Sequence, residues 1–293
     1  MPKRTQKDIE REEHSESDIS LSSSDDEELR DEVDTVNVDF DFFNLDPKAD
    51  FSATKNFLRQ LFQGDSLLFP LSEMADILLS TNQVGTTVKT DGKDSDPFSI
   101  ISVTGLTDNL SKDPVKKLSQ YLFEKTGKHP QFNAMLRQLL SPSSKRKLAL
   151  IFSERLINMP VETAPPMYRM LMEEIDKAGF KYDYFLIPSR VYQMIDSEVD
   201  KELNDDGEDD CHKKRSKKNK EKISEFEYYH YEDEVLESHA LHHAFFDYTK
   251  KGINPDARRV FNDYAVVPKL SLILIGKNSL ETATQDMSEK FAA

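Results

Sequence analysis

Three histidines lie close together in the segment HALHH, at His239, His242 and His243. Imidazoles spaced four residues apart on a helix share one face and can hold a metal ion together. The metal-binding helix of metalloproteases also has a glutamate directly after its first histidine, and here Ala240 takes that place. We therefore interpret these side chains as surface histidines on a helix over residues 232–249, and we predict neither a metal site nor another cofactor.

The tripeptide Ser153-Glu154-Arg155 contains the residue types of a nucleophilic site. A serine nucleophile at a strand-to-helix turn needs flanking glycines, because that turn is strained. No glycine lies beside Ser153. We therefore predict that Glu154 and Arg155 form a structural ion pair or cap the end of a strand, and that no catalytic residue lies here.

The segment TDGKDSD, residues 90–96, is rich in carboxylates and could be mistaken for a calcium loop. A calcium loop of the helix-loop-helix kind needs a distal glutamate and two flanking helices. The pattern lacks both, and Asp91-Gly92 is a favoured pair for a tight turn between strands. This segment is predicted to be a hairpin turn.

Charge along the chain is sorted into blocks. Residues 1–46 contain sixteen acids and five bases, and residues 196–222 contain ten acids and eight bases. Of the total net charge of −15, only −2 is left for the rest of the chain. Because such blocks repel themselves and bury little apolar surface, we predict a disordered acidic arm at residues 1–34 and a flexible charged insert at residues 196–222. The arm favours basic protein partners over direct binding to nucleic acid.

The insert ends in the basic block KKRSKKNKEK, residues 213–222. Its density and predicted exposure suit a nuclear localisation signal that nuclear transport receptors bind. A solvated loop without a signal is the alternative. Nucleic acid is a weaker candidate, because an acidic run precedes the block and no aromatic residue within it could stack on bases. The predicted signal residues are Lys213, Lys214, Arg215, Lys217, Lys218, Lys220 and Lys222.

Ser22, Ser23 and Ser24 each have an acid three residues later, which is the pattern that acid-directed kinases read. Phosphorylation would add a charge of about −1.5 to −2 per site and would strengthen the attraction of the arm for basic partners. An unmodified acidic tail is the alternative.

Strand and helix patterns alternate through residues 35–293, and this alternation predicts an α/β domain with a mixed central sheet flanked by helices. The clearest helix is at residues 167–178, which begins after two prolines and ends before Gly179. Strands are predicted, among other places, at residues 67–69, 147–153, 259–267 and 270–276.

The composition predicts a soluble intracellular protein. The chain has a single cysteine, Cys211, so it has no intramolecular disulfide, which is typical of a reducing compartment. Its longest apolar stretches fall far short of the roughly 20 residues that span a membrane, so no membrane partner is expected.

Three long segments together resemble the BCCIP family, whose unicellular members are called Bcp proteins. They are NVDFDFFNLDPKADFSATKNFLRQLF at residues 37–62, KTDGKDSDPFSIIS at residues 89–102 and SERLINMPVETAPPMY at residues 153–168. The segment FEYYHYEDEVLESHA at residues 226–240 fits the same layout. Segments of this length are far more specific than short catalytic patterns.

The resemblance implies a nuclear protein that shuttles to the cytoplasm and escorts clients. For the Bcp branch, the implied clients are a basic ribosomal protein of the large subunit and a phosphatidylinositol phosphate kinase that is exported from the nucleus. The resemblance also implies a fold similar to the GCN-five-related acetyltransferases, without established acetyltransferase activity.

That implied fold raises an enzymatic alternative. Such enzymes hold the pyrophosphate of acetyl-CoA on backbone amides at a helix amino terminus, with the pattern Gln or Arg, two residues, Gly, one residue, Gly or Ala. If the pattern began at Arg137 or Arg155, its first glycine would fall at position 140 or 158. Leu140 and Asn158 stand there instead, so the pattern is absent. We therefore predict a non-enzymatic chaperone and transport adaptor that supports ribosome assembly and nuclear export. A cell-cycle or DNA-repair scaffold and an acyl-CoA-dependent acetyltransferase are the alternatives.

Overall fold

The computed structural model describes residues 38–80, 84–196, 226–249 and 264–292. Within these ranges, residues 39–293 belong to one compact unit. The predicted arm at residues 1–34, the three arm serines, the basic block and all but the first residue of the predicted insert lie outside the described residues. The boundaries of the arm and of the insert therefore stay predictions.

The described residues contain seven α-helices, and their apolar positions recur at helical spacing. On the fifth helix, for example, Met167, Leu171 and Ile175 are all buried, as expected for an amphipathic helix that packs on a sheet. The helices are α1 Phe51–Phe62, α2 Leu71–Ser80, α3 Asp113–Lys125, α4 Pro130–Leu139, α5 Ala164–Lys177, α6 Glu232–Ser238 and α7 Lys277–Lys290. No helix of the described residues is long and apolar enough to cross a membrane.

Eight strands form one sheet in the order β1-β2-β3-β4-β5-β8-β7, with β6 paired to β5. The pair β4 and β5 is parallel, and every other neighbouring pair is antiparallel. The predicted mixed sheet flanked by helices is thus confirmed, and it is mostly antiparallel. The strands are β1 Asp41–Asn44, β2 Gly85–Lys89, β3 Ser99–Gly105, β4 Leu148–Arg155, β5 Tyr184–Asp196, β6 Phe226–Tyr228, β7 His242–Asp247 and β8 Tyr264–Gly276.

Helices cover both faces of the sheet, and strand alternation decides which core each residue joins. On β4, Leu148, Leu150 and Phe152 belong to the core under α1 to α4. Their neighbours Ala149 and Ile151 belong to the core under α5, α6 and α7. We call these two sides of the sheet the first face and the second face.

The sheet has a gap beside the middle of β5. One edge of β5 pairs with β8 over its whole length. On the other edge, β4 pairs with residues 184–186 and β6 with residues 191–193. Residues 187–190 therefore have no strand partner on that edge within the described part of the chain.

Three sequence predictions were wrong in detail. Residues 67–69 are not a strand, because Gln63–Leu68 forms a 3-10 helix that leaves Leu67 79% exposed. The two strands predicted at residues 259–267 and 270–276 are one strand, β8, which continues through Pro268. The helix predicted at residues 232–249 ends at Ser238, and β7 follows it.

The chain returns to a strand after α6 because its apolar residues change period. Ala244, Phe246 and Tyr248 alternate with less buried neighbours and join the core of the first face. This period of two fits an edge strand on β8 rather than another turn of helix.

Candidate functional site

The gap beside β5 is filled by charged and polar side chains from three parts of the chain. The end of β4, the unpaired stretch of β5 and the start of α6 with its preceding turn each contribute. We call this set the gap cluster, and it consists of Glu154, Arg155, Ser189, Arg190, His230, Glu232 and Asp233. All seven residues are buried, none more than 5% exposed.

On the first face, Arg190 of β5 binds Glu154 of β4. The guanidinium donates from Nη2 to Glu154 Oε2 at 2.9 Å and from Nε to Glu154 Oε1 at 3.3 Å. The ring of Tyr229 lies 4.9 Å from the guanidinium carbon, which adds a favourable cation–π contact. Glu154 thus takes part in a buried ion pair, but its partner is Arg190 and not Arg155 as predicted.

On the second face, Arg155 binds Glu232 at the start of α6. Nε donates to Oε1 at 3.1 Å, and Nη2 donates to Oε2 at 3.0 Å. The remaining Nη1 donates to the carbonyl of Met159 at 2.8 Å. This fork geometry is the strong form of the arginine–carboxylate pair. Beside it, Ser189 Oγ donates to Asp233 Oδ2.

His230 lies between the two pairs. Its Nε2 is 3.8 Å from Glu154 Oε2, and its Nδ1 is 4.0 Å from Asp233 Oδ2. The imidazole thus sits between a carboxylate of the first face and one of the second face. The imidazole lies beside Ser189, in the stretch of β5 that no described strand pairs on this edge.

Burial is the largest influence on the pKa values of Asp233, His230 and Glu232. It raises the pKa of Asp233 well above its usual range, and the charge of Glu232 raises this pKa further. Burial also lowers the pKa of His230, although Glu154 and Glu232 oppose that effect. Burial would raise the pKa of Glu232, but the hydrogen bonds from Arg155 outweigh it and the net direction is down.

These directions all favour a low net charge of the cluster. Each arginine–glutamate pair is neutral overall, the raised pKa of Asp233 favours its protonated form, and the lowered pKa of His230 favours the neutral imidazole. Neutral or paired groups are the forms that a protein interior tolerates. With its arginines paired to glutamates inside the fold, the cluster can lock β4, β5 and α6 together.

The three histidines of HALHH are not brought together. His239 Nε2 pairs with Asp286 at 2.6 Å, and the ring of His242 stacks on Phe132 with a centroid distance of 5.5 Å. His243 Nδ1 lies 3.6 Å from Glu237 Oε2. Within the described ranges, no group of three histidine, cysteine or acidic side chains could hold a metal ion.

The carboxylate-rich segment at residues 90–96 joins the antiparallel strands β2 and β3, so the predicted hairpin is confirmed. Sequence reasoning missed its main contact. Lys89 at the end of β2 pairs with Asp50 at 2.7 Å, and both side chains are fully buried. Lys89 Nζ also donates to the carbonyl of Lys93 inside the hairpin. This pair ties the hairpin to the start of α1.

The amino terminus of α5, the first helix after β4, is poor in amide donors. The helix begins at Ala164, and the next two residues are Pro165 and Pro166, which have no N–H group. An anion site at a helix amino terminus depends on those donors. At the two positions where an acetyl-CoA turn would need glycine, the chain has Leu140, which is buried after α4, and Asn158, which is exposed after β4.

The outer sides of the two helical layers differ in charge. Helices α5, α6 and α7 contain ten acids and four bases; Glu232, Asp233 and Glu237 are buried, which leaves seven acids and four bases at least partly exposed. Residues 107–147, which include α3 and α4, contain nine bases and three acids. The near-neutral body that the sequence predicted is therefore a sum of two opposed surfaces. We call the outer side of α5, α6 and α7 the acidic face.

Two exposed apolar residues border α6 within the acidic face. Tyr231, just before the helix, is 59% exposed, and Leu241, just after it, is 50% exposed. The exposed acids of this face are Glu173, Asp176, Glu234, Glu281, Asp286 and Glu289.

Comparisons with known proteins agree on one relationship. A family model described as BCCIP matches residues 35–236. The chain is 46% identical over 271 residues to Protein BCP1 of Debaryomyces hansenii, covering 88% of this chain and 87% of that protein. It is 35% identical over 268 residues to Protein bcp1 of Schizosaccharomyces pombe, covering 89% of this chain and 93% of that protein. The crystal structure of BCP1 from Saccharomyces cerevisiae is similar with a TM-score of 0.61 and 28% identity, covering 90% of this chain and 93% of that chain.

Proposed function

This chain belongs to the BCCIP family, and from that premise we propose that it is a nuclear, non-enzymatic chaperone and transport adaptor. Its proposed main client is a basic ribosomal protein of the large subunit, which it holds during ribosome assembly. The proposal extends to the nuclear export of clients, including a phosphatidylinositol phosphate kinase, and to shuttling between nucleus and cytoplasm with nuclear transport receptors.

The observation that carries the proposal is the acidic face. An unassembled ribosomal protein exposes lysines and arginines that would otherwise contact RNA phosphates. Six of the acids on these three adjacent helices are exposed and offer the complementary charge. Tyr231 and Leu241 add exposed apolar area within it, and aromatic residues are enriched in the centres of protein interfaces. We therefore place the client on the acidic face.

The acidic arm of residues 1–34 complements this surface. Charge complementarity mainly raises the association rate of a partner, while packed contacts set its residence time. The arm would attract the basic client, and the acidic face would hold it. Addition of phosphate at Ser22, Ser23 or Ser24 would increase the attraction.

Two features of the described residues support a role without catalysis. The charged groups of the gap cluster are committed to one another, and Pro165 and Pro166 remove amide donors from the amino terminus of α5. The proposed likeness to the acetyltransferases then extends to architecture alone. The basic block from Lys213 to Lys222 is proposed to direct nuclear import.

Light scattering tests the chaperone function directly. A purified basic large-subunit ribosomal protein would be diluted into moderate salt with and without an equimolar amount of the full chain. We expect the chain to suppress aggregation, and an equal amount of an unrelated acidic protein to suppress it much less. Equal suppression by both proteins would reduce the effect to nonspecific charge. Heat of binding on titration with acetyl-CoA would favour the acyltransferase alternative instead.

A further inference from the structure

A basic groove lies beside α4, which packs on the first face of the sheet, whereas the acidic face lies on the second face. It is formed by the last turns of α4, the turn at residues 141–146 and Tyr184, the first residue of β5. Its volume is about 740 Å³, which falls in the range of about 300–1,000 Å³ that is usual for small-molecule sites. The charged residues that line it are Arg137, Lys145 and Arg146, and no acid lines it.

The positions of two of these bases are fixed by other contacts. Arg137 donates from Nε to Asn133 Oδ1 at 2.7 Å, and its guanidinium lies 4.5 Å from the ring centre of Phe123. Arg146 donates from Nη1 to Asp183 Oδ1 at 2.7 Å, and this contact raises the pKa of Arg146. Each guanidinium keeps further N–H groups, and a guanidinium whose position is already fixed loses less freedom on binding an anion.

The third base, Lys145, is exposed and has no ion pair with the described residues. Three serines line the same groove. The hydroxyls of Ser141 and Ser143 lie 2.9 Å apart, so one of their two protons is left to donate outward. Lysine, arginine and hydroxyl donors together are the groups that bind phosphate oxygens.

Opposing charges near the groove are smaller than its positive charge. Asp183 offsets one arginine, and the carboxyl end of α4 adds roughly half a negative charge. The three formal positive charges of Arg137, Lys145 and Arg146 are larger than these negative charges together. The apolar part of the lining includes Met135 and the partly buried ring of Tyr184, which could pack against the organic part of a ligand.

From these contacts we propose that the groove binds a phosphate-bearing small molecule. The bases and serines recognise the phosphate groups, and the apolar wall accepts an attached ring. This site is separate from the client surface, since its charge repels a basic protein. Its occupancy is therefore independent of the proposed chaperone function.

Calorimetric titration of the full chain with inorganic pyrophosphate tests the site. We expect Lys145→Glu to weaken binding at least tenfold. The matched control is Lys116→Glu on α3, which makes the same charge change at an exposed lysine outside the groove lining; it should alter the Kd less than twofold. Absence of binding by the unaltered chain, or equal weakening by both variants, would overturn the proposal.

Titration with adenosine diphosphate separates the two parts of the site. Tighter binding of this nucleotide than of pyrophosphate would support both the phosphate contacts and the apolar wall. If the nucleotide fails to bind while pyrophosphate binds, the assignment of the wall to a ring is overturned.

Discussion

The guanidinium of Arg155 and the carboxylate of Glu232 form a bidentate ion pair with two hydrogen bonds, of 3.1 Å from Nε and 3.0 Å from Nη2. Both side chains are at most 5% exposed. The residues are 77 positions apart in the chain. One ends β4 and the other begins α6, so the pair fixes the helix against the sheet at the gap. The Arg190–Glu154 pair does the same for β4 and β5.

Removal of one partner leaves a buried charge without compensation. Glu232→Gln should therefore lower the free energy of unfolding by about 3 kcal/mol or more. Glu234→Gln is the matched control, because Glu234 pairs with Lys290 at the surface, where ion pairs contribute less than about 1 kcal/mol. Urea unfolding of the full chain at pH 7 measures both. Equal losses in the two variants would contradict the central role of the buried pair.

Asp233 makes stability depend on pH in a direction opposite to that of a salt-bridged acid. Burial, and then the charge of Glu232, raises its pKa in the folded state above the ordinary value of 3.8. The folded protein thus keeps a proton that the unfolded chain releases. The contribution of Asp233 to stability is therefore fully present below pH 3.8 and is lost as pH rises through the folded pKa.

Asp233→Asn cannot ionise and avoids this loss. The free energy of unfolding of the variant, minus that of the unaltered chain, should rise between pH 4 and pH 7, by at most about 1.4 kcal/mol per pH unit. Urea unfolding at several pH values gives this difference. A difference that stays flat or falls with pH would mean that Asp233 is ionised in the fold.

Two double variants can distinguish binding of the client at the acidic face from a general effect of the net charge of the protein. Glu281→Lys with Glu289→Lys changes α7, and Glu73→Lys with Asp76→Lys makes the same charge change on α2, on the opposite side of the sheet. All four side chains are exposed. We expect the α7 variant to weaken binding of the basic ribosomal protein at least tenfold and the α2 variant to weaken it far less. Biolayer interferometry at fixed salt compares them, and equal effects would remove the client from the acidic face.

The acidic arm should act on association more than on dissociation. Deletion of residues 1–34 is expected to slow binding of the ribosomal protein and to flatten the dependence of that rate on salt, because long-range attraction is screened by ions. The unfolding free energy of the remaining chain should not change. Stopped-flow association at several salt concentrations is the measurement, and identical rates with and without the arm would refute this role.

Local patterns predicted the elements whose period was clear. The helix expected at residues 167–178 corresponds to α5 at Ala164–Lys177, and the strand expected at residues 147–153 corresponds to β4 at Leu148–Arg155. In both cases the signals lie within the element or within two residues of its end. The period of two at Ala244, Phe246 and Tyr248 was also present in the sequence, but it followed a helical segment without a break.

The candidate site was harder to predict because its contacts join residues that are far apart in the sequence. Glu154 and Arg155 were expected to form an ion pair, but their partners Arg190 and Glu232 are 36 and 77 residues away. No local spacing encodes such pairs. The only signal was that residues 226–240 mix aromatic side chains with charged and polar ones. These include His230, Glu232 and Asp233.

We propose that this chain holds a basic ribosomal protein in solution. The most direct measurement is co-expression of the full chain with a tagged large-subunit ribosomal protein, followed by size-exclusion chromatography in moderate salt. We expect a soluble one-to-one complex, with the ribosomal protein insoluble when expressed alone. Separate elution of the chain from every such protein tested would contradict the claim.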